Sequence, residues 1–308
     1  MSSNKKILCI HRGGYIFDAI VPVLSEVCAE RNWTFREEAR TSALPVGTVV
    51  CPLPESLYRE FDLIFLGRNG HNKFIWPQTP GIDKYAHKVI ALDGAAGPAR
   101  RVPHKCAYYF KREYVGNGWQ KQIGAIPISL CAPRGVVAMD PLPWEQRDID
   151  VFIAVCLKSG GIRGGLVLAV QFDCITNDRK FVAYGFPGKG KALSKAKYLD
   201  LLRRSKIAIA PRGSGEDTNT YWEIPACGVA MLAQRRTITI LNNFVEGEEA
   251  LFFDTAKEMV DLYVSALKDP DRLREMAFAG RAKVLAHHTA EKQVEMLLEV
   301  ARPILEGE

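Results

Sequence analysis

The residues best suited to bind a ligand follow an apolar run in the second half of the chain. Residues 207–210 favour a buried strand, and Arg212 and Gly213 begin a glycine-rich turn directly after it. A helix capped by Asp217 or Thr218 is predicted to follow, so its free backbone amides and the guanidinium of Arg212 could together hold a diphosphate. Glu223 lies about two turns further on, where a carboxylate could accept both hydroxyls of a ribose. A structural glycine turn followed by a surface glutamate is the alternative interpretation.

A second set of candidates lies in the first half of the chain, also at strand ends. Gly13 and Gly14 follow the first apolar run, where glycine allows a ligand to approach the backbone closely. His11 and Asp93 each end a predicted strand, and either could deprotonate an acceptor hydroxyl as a general base. A tight turn explains the glycines equally well, and His11 could instead be a hydrogen-bonded strand-end histidine.

Two D-x-D patterns have a spacing that could hold a divalent metal, but their positions argue against it. Asp148 and Asp150 precede or begin a predicted strand, so they lie opposite the edge of the sheet where ligands bind. Asp269 is predicted to cap a helix whose first residue is Pro270. We therefore expect chemistry that needs no metal.

Short apolar runs that alternate with helical stretches position these residues. Such alternation is typical of βαβ units and a parallel sheet, in which ligands bind beyond the carboxyl ends of the strands. Prolines at 141 and 143 interrupt helix and strand alike, so residues 141–147 are predicted to link a domain of residues 1–140 to one of residues 148–308. The predicted strands are 6–10, 48–51, 62–66, 88–92, 107–110, 150–155, 180–184, 207–210, 229–233 and 250–253.

Composition sets the broad class. The chain has 308 residues, 47% of them hydrophobic and 25% charged, which suits two ordinary globular domains. The net charge of +6 suits a phosphate-bearing ligand, although a solvated basic surface explains it too. The eight cysteines form no C-x-x-C pair, which favours reduced thiols in a cytoplasmic protein. No apolar run is long enough for a signal peptide or a transmembrane helix.

Several of these segments together resemble the group 1 glycosyltransferases, most of all the CgeB-like and exostosin-like branches. The resemblance covers the second half of the chain closely and the first half thinly. Each motif alone is weak evidence for the family, but the combination of motifs is specific. The segments that carry it are residues 109–113, 143–151, 204–206, 211–213, 221–228, 244–250, 279–281 and 287–289.

This resemblance implies the GT-B architecture, in which two Rossmann-like α/β domains face a cleft and the C-terminal helices pack back on the first domain. It implies a hexosyl- or related transferase that moves a sugar from a nucleotide-diphosphate sugar to an acceptor hydroxyl, with no cofactor besides that donor. The acceptor could be a glycan, a protein, a small molecule or a modified nucleic acid. The second domain would bind the donor, and the first would mainly bind the acceptor.

The resemblance also assigns roles by position. Glu223 would bind the ribose, while Arg212, Gly213 and the amides up to Asp217 would meet the diphosphate or the sugar. Arg163 is similar to the basic residue that reaches the phosphates, and residues 184–187, which begin with Tyr184, resemble the loop that frames the base. The pair Gly13 and Gly14 is similar to the glycine loop of the family.

The chain departs from the family pattern at two places. Many members have an arginine shortly before the helix glutamate, where this chain has Asn219 and Thr220. Retaining members also pair two glutamates, and the spacing from Glu216 to Glu223 is one residue shorter than theirs. Three other functions stay open: an epimerase that hydrolyses the same donor, a nucleotide-sugar-binding scaffold without catalysis, and a DNA-modifying glucosyltransferase.

Overall fold

The chain forms two compact units in the computed structural model. Unit 1 contains Met1–Cys131, Ile238–Leu241 and Ala290–Glu308, and unit 2 contains Ala132–Thr237 and Asn242–Thr289. Residues 141–147, predicted as the linker, fall inside unit 2 in this division. The residues that the structure describes are 4–11, 15–39, 53–68, 79–95, 105–157, 161–186, 192–213 and 215–307.

The described part of unit 1 is built on a six-stranded parallel sheet with the order β2-β1-β3-β4-β5-β6. The inner strands β1, β3 and β4 are mostly apolar and buried on both faces, as parallel strands covered by helices require, while the inner strand β5 also buries Lys111 and Arg112. The strands are β1 (Lys6–His11), β2 (Thr34–Ala39), β3 (Leu63–Arg68), β4 (Val89–Asp93), β5 (Tyr108–Arg112) and β6 (Ile126–Ile128).

Helices from both ends of the chain belong to unit 1. The last two helices join this unit, and α10 packs against α1, so the predicted return of the C-terminal helices to the first domain is confirmed. The apolar stripe of α10, which includes Val294 and Leu297, is buried. The α-helices described in this unit are α1 (Tyr15–Glu30), α2 (Glu55–Glu60), α3 (Gly118–Gln122), α10 (Ala290–Val300) and α11 (Arg302–Glu306).

Unit 2 has a five-stranded parallel sheet with the order β11-β10-β9-β7-β8. Its core lies between this sheet and helices that include α5, α8 and α9. The strands are β7 (Ile149–Cys156), β8 (Phe181–Phe186), β9 (Ser205–Ala210), β10 (Ala230–Gln234) and β11 (Leu251–Phe253). The α-helices described here are α4 (Arg134–Val137), α5 (Gly161–Thr176), α6 (Lys195–Arg203), α7 (Asn219–Ala226), α8 (Ala256–Ala266) and α9 (Pro270–His287).

Most predicted strands are present to within about two residues, the usual uncertainty of a strand end. The predicted strand at residues 48–51 lies outside the described residues. Two strands, β2 and β6, are not predicted by the sequence pattern, and both form edges of the first sheet. An edge strand needs less apolar character than a central one, so β2 carries charged residues and β6 contains a proline.

Two predicted helix caps are confirmed. Thr255 accepts a hydrogen bond from the backbone of Glu258, and Asp269 accepts one from the backbone of Arg272. The cysteines in the described residues are all free thiols. Among the described helices, none combines the length and the apolar character that a membrane crossing demands.

Candidate functional site

Two of the predicted ligand-binding residues of unit 2, Arg163 and Arg212, lie near the carboxyl ends of neighbouring strands. The order β10-β9-β7 places Gln234, Ala210 and Cys156 at one edge of the sheet. Arg212 lies two residues beyond the end of β9, and Arg163 lies in the first turn of α5, which follows β7. Ligands bind at this edge in open parallel α/β sheets.

The two predicted arginines hold the turn after β9 in place. Arg163 donates from Nε to the carbonyl of Arg212 at 2.8 Å and from Nη1 to the carbonyl of Cys156 at 3.0 Å. Arg212 donates from Nε to the carbonyl of Arg235 at 2.6 Å, and its backbone N–H donates to the side chain of Gln234. Burial lowers the pKa of Arg163, although the guanidinium remains a cation at neutral pH. Both cations are therefore fixed beside the turn.

Gly213 is required by crowding inside this turn. A Cβ atom at that position would lie 2.8 Å from Nη2 of Arg163 and 2.9 Å from Cγ2 of Thr218. The backbone N–H of Gly213 also donates to the carbonyl of Gly215 at 2.7 Å, which closes the turn tightly. A larger residue would push the arginine away, so the glycine is explained by close packing.

Glu216 closes the same turn onto the segment after β10. Its carboxylate accepts hydrogen bonds from the backbone N–H of Thr237 at 2.5 Å and from the Thr237 hydroxyl at 2.7 Å. It also lies 3.4 Å from Nη1 of Arg212. The Glu216 carboxylate is therefore bound by other groups of the protein. The spacing from Glu216 to Glu223 also differs from that of the paired glutamates in retaining members of the family.

Asp217 anchors α7 through a side chain and does not cap it. Helix α7 begins at Asn219, and the N-cap residue is Thr218, whose side chain makes no capping hydrogen bond. Asp217 instead accepts a hydrogen bond from Nε1 of Trp222 at 2.8 Å, and both side chains are buried. Of the two predicted cap residues, Asp217 and Thr218, the structure therefore has Thr218 at the N-cap position, while the carboxylate of Asp217 binds the indole.

Glu223 lies within α7 and is almost completely buried. Its carboxylate pairs with the ammonium group of Lys195, the first residue of α6. The glutamate side chain is 5% exposed and the lysine side chain is 56% exposed, so one partner of the pair is open to solvent. The sequence did not indicate Lys195 specifically, because it belongs to a diffuse run of lysines between residues 189 and 197.

Tyr184 lies in β8, where it pairs with Ala154 of β7. The strand extends two residues beyond the predicted end, to Phe186, so residues 184–186 of the predicted base-framing loop belong to β8 instead. Residues 187–190 lie outside the described part of the chain. The role of Tyr184 stays a prediction.

His11 ends β1 in unit 1 and is held on two sides. Its Nε2 lies 2.9 Å from Oε1 of Glu37 on β2, and its ring stacks on Phe17 with 4.9 Å between centroids. A carboxylate that orients an imidazole suits a general base, and the same contacts suit a structural histidine. Gly13 and Gly14 lie outside the described residues.

Asp93 ends β4 as predicted, but its carboxylate is fully enclosed. It accepts hydrogen bonds from the Tyr109 hydroxyl at 2.7 Å and from the backbone of Ala95 at 3.0 Å. The ammonium group of Lys111, also fully buried, lies 3.6 Å away. A general base must reach the proton of its substrate, so these contacts favour a structural role. Catalysis by Asp93 stays a prediction without support from the geometry.

The D-x-D carboxylates are engaged by protein groups. Asp148 pairs with Arg204, and Asp150 pairs with Lys206 at the first residues of β7, opposite the carboxyl edge. Asp269 caps α9. Within the described ranges, no cluster of three or more His, Cys, Asp or Glu side chains has an arrangement that could hold a metal.

Part of the chain is similar in sequence to a known protein family. Residues 169–299 match the family described as Glycosyl transferase-like. No curated protein matches the chain in sequence.

Several solved structures share the whole fold at low sequence identity. A sucrose-phosphate synthase from Thermosynechococcus elongatus is 13% identical, with a TM-score of 0.61 over 99% of this chain and all of the other. A glycosyltransferase from Rickettsia africae is 11% identical, with a TM-score of 0.60 over the same shares. The HepE protein of Anabaena, solved in complex with UDP, is 11% identical, with a TM-score of 0.52 over 96% of this chain and 98% of the other. The chain thus has two Rossmann-like α/β domains of the GT-B type.

Proposed function

We propose that this protein is a glycosyltransferase that moves a sugar from a nucleotide-diphosphate sugar to an acceptor hydroxyl. The observation that carries the proposal is the set of groups at one edge of the second sheet. A tight glycine turn is flanked by two arginines, and the helix that follows this turn in the chain carries the buried carboxylate of Glu223. The family match over residues 169–299 and the fold shared with a UDP-binding protein support the same interpretation.

Each part of the donor would contact a different group of this set. Glu223 accepts the ribose hydroxyls and shares its carboxylate with Lys195, whose exposed ammonium group can move aside. Arg163 and Arg212 neutralise the diphosphate, aided by the first-turn amides of α7, which the Thr218 side chain leaves uncapped. Tyr184 borders the base.

His11 is the general base that the structure supports better. The Glu37 carboxylate lies 2.9 Å from Nε2 of its imidazole and would stabilise the ring after it takes up a proton. Asp93 is the weaker candidate, because its carboxylate is already occupied on three sides by Tyr109, Lys111 and a backbone amide. Substitution of His11 by glutamine should therefore reduce turnover more than nucleotide affinity.

A donor screen tests the proposal. Thermal unfolding is measured with UDP-, GDP-, ADP- and dTDP-sugars, and a donor at 100 times its dissociation constant should stabilise the fold by about 2.7 kcal/mol. The donor that binds is then incubated with candidate acceptors, and release of the nucleoside diphosphate is followed. Stabilisation by no nucleotide sugar would contradict the proposal.

The same screen separates the other functions. A non-catalytic scaffold would bind the donor without consuming it, and an epimerase would release the nucleoside diphosphate without an acceptor. A DNA-modifying glucosyltransferase would bind duplex DNA with an affinity that falls steeply with salt, because phosphate contacts release counterions. Within the glycosyltransferases, we place this protein by proposal in the CgeB-like or exostosin-like branch.

We further propose that transfer needs no divalent metal. The arginines beside the turn can neutralise the leaving diphosphate, and the D-x-D carboxylates are paired with other protein groups. Activity should therefore survive exhaustive EDTA treatment at low ionic strength. Activity that disappears with EDTA and returns with Mg²⁺ or Mn²⁺ would contradict this mechanism.

A further inference from the structure

Two adjacent arginines after β10 have very different surroundings. The guanidinium of Arg235 is near the surface and is paired with Glu246 and Asp254 at 2.9 and 3.1 Å. The guanidinium of Arg236 turns inward and donates from Nη2 to the carbonyl of Ala210, the last residue of β9, at 3.3 Å. One arginine is therefore satisfied by carboxylates, and the other is anchored by a single weak hydrogen bond.

Two nitrogens of the Arg236 guanidinium lack an acceptor in the part of the chain that the structure describes. Its Nε and Nη1 atoms are buried and find no hydrogen-bond partner among the described residues. These two nitrogens carry three of the five N–H bonds of a guanidinium. Buried polar groups in native proteins are nearly always paired, and an exception points to a partner that binds there.

The nearby carboxylates do not supply that partner. Asp217 is engaged by Trp222, and Glu216 is engaged by Thr237. Burial lowers the pKa of Arg236 to about 10, in spite of these two acidic neighbours, and the proximity of Arg212 contributes to the decrease. The guanidinium thus remains charged at neutral pH without a hydrogen-bonded counterion, which is a costly arrangement unless an anion offsets it.

The position of Arg236 indicates which anion this is. The guanidinium lies over the ring of Tyr221, with 4.8 Å from its carbon to the ring centroid, and this stacking fixes its plane. It is anchored at the end of β9, directly before the turn that holds Arg212 and Gly213. A second cation beside Arg212 strengthens the attraction for a multiply charged oxyanion.

We propose that Arg236 is a phosphate-binding residue that contacts the diphosphate of the donor together with Arg212. This inference rests on the proposed function, since it assigns the anion to the donor. Because Nε and Nη1 are enclosed, phosphate binding requires Arg236 to release its weak hydrogen bond to the carbonyl of Ala210 and turn toward the ligand. The residue would then distinguish diphosphate-bearing ligands from the bare nucleoside.

Calorimetric titration of three variants tests the proposal. Arg236→Met removes the charge, Arg236→Lys keeps the charge without the planar donor set, and Arg235→Met is the matched control at the neighbouring position. Each protein is titrated with inorganic pyrophosphate, a nucleoside diphosphate and the corresponding nucleoside. The base of these ligands is that of the nucleotide sugar that stabilises the wild type in the thermal screen. Circular dichroism and thermal unfolding establish that each variant is folded.

Arg236→Met should weaken the binding of pyrophosphate and of the nucleoside diphosphate by about tenfold or more, the value of a lost charge-assisted hydrogen bond. Arg236→Lys should weaken both by less, and nucleoside affinity should not change in either variant. Arg235→Met should bind all three ligands like the wild type. If Arg236→Met does not fold, Arg236→Lys decides the question.

The possible outcomes separate this inference from the proposed function. Unchanged pyrophosphate and diphosphate affinity in folded Arg236 variants overturns the role of Arg236 and leaves the proposed function standing. Binding of pyrophosphate without any nucleoside or nucleotide sugar, lost in the Arg236 variants, supports an anion site and contradicts a nucleotide-sugar donor. A wild type that binds none of these ligands contradicts both.

Discussion

Each unit of this protein buries a carboxylate beside a lysine near the carboxyl edge of its sheet, yet the two pairs differ in access. In unit 1, Asp93 and Lys111 are both completely buried, and the carboxylate is also bound by Tyr109. In unit 2, Glu223 is buried but Lys195 is 56% exposed. A sealed pair has no room for a ligand, whereas an open pair can exchange its lysine for ligand hydroxyls. Residue type and strand-end position therefore do not suffice to identify a binding carboxylate.

The sealed pair should respond most strongly to substitution. Lys111→Met leaves the Asp93 carboxylate buried without its cation, so we expect a loss of about 3–5 kcal/mol in the free energy of unfolding. Urea denaturation monitored by circular dichroism measures it. The double variant Asp93→Asn/Lys111→Met should recover part of the loss, because no unpaired charge remains. A loss below about 1 kcal/mol in the single variant would show that the pair is not sealed.

The open pair should matter most for binding. Glu223→Ala should weaken nucleotide affinity by about 1.5–3 kcal/mol, because ribose hydroxyls lose a charged acceptor. Calorimetry measures the change, and Glu248→Ala, which removes an exposed glutamate of the same unit, is the matched control. Equal affinity in a folded Glu223→Ala variant would remove Glu223 from the site.

The lysine of the open pair should contribute least to stability. Lys195→Met is expected to lower the free energy of unfolding by at most about 1 kcal/mol, because loss of this exposed side chain lets water reach the Glu223 carboxylate and solvate it. Urea denaturation monitored by circular dichroism measures this change in the free energy of unfolding as well. A loss as large as that of Lys111→Met would mean that Lys195 is a structural partner of Glu223, and the contrast between the two pairs would fail.

The sequence predicts the strand-end residues well, because apolar runs and glycine turns are local signals. It places Arg163, Arg212, Gly213 and Glu223 after strands of the second sheet, and the structure brings their elements to one edge. The burial of Asp93 is different, because it depends on Lys111 and Tyr109 of the neighbouring strand β5. Strand order is a tertiary property that no local pattern reveals.

The same limit explains the residues that the sequence did not indicate. Lys195 lies 28 residues before Glu223 in the chain and contacts it from a different helix. The sequence pattern does not distinguish Lys195 from the other lysines between residues 189 and 197. Arg235 and Arg236 are identical in type and adjacent, yet the path of the chain after β10 exposes one and encloses the other. Only the packed structure distinguishes them.

Hydrogen exchange with and without nucleotide tests most directly whether unit 2 binds the donor. The nucleoside diphosphate of the sugar that stabilises the protein is added at saturation, and backbone amide exchange is followed by mass spectrometry. We predict slower exchange in peptides that cover residues 211–223, and unchanged exchange in peptides that cover Asp93 and β5. Protection confined to unit 1, or no protection of residues 211–223 by a bound nucleotide, would contradict the account.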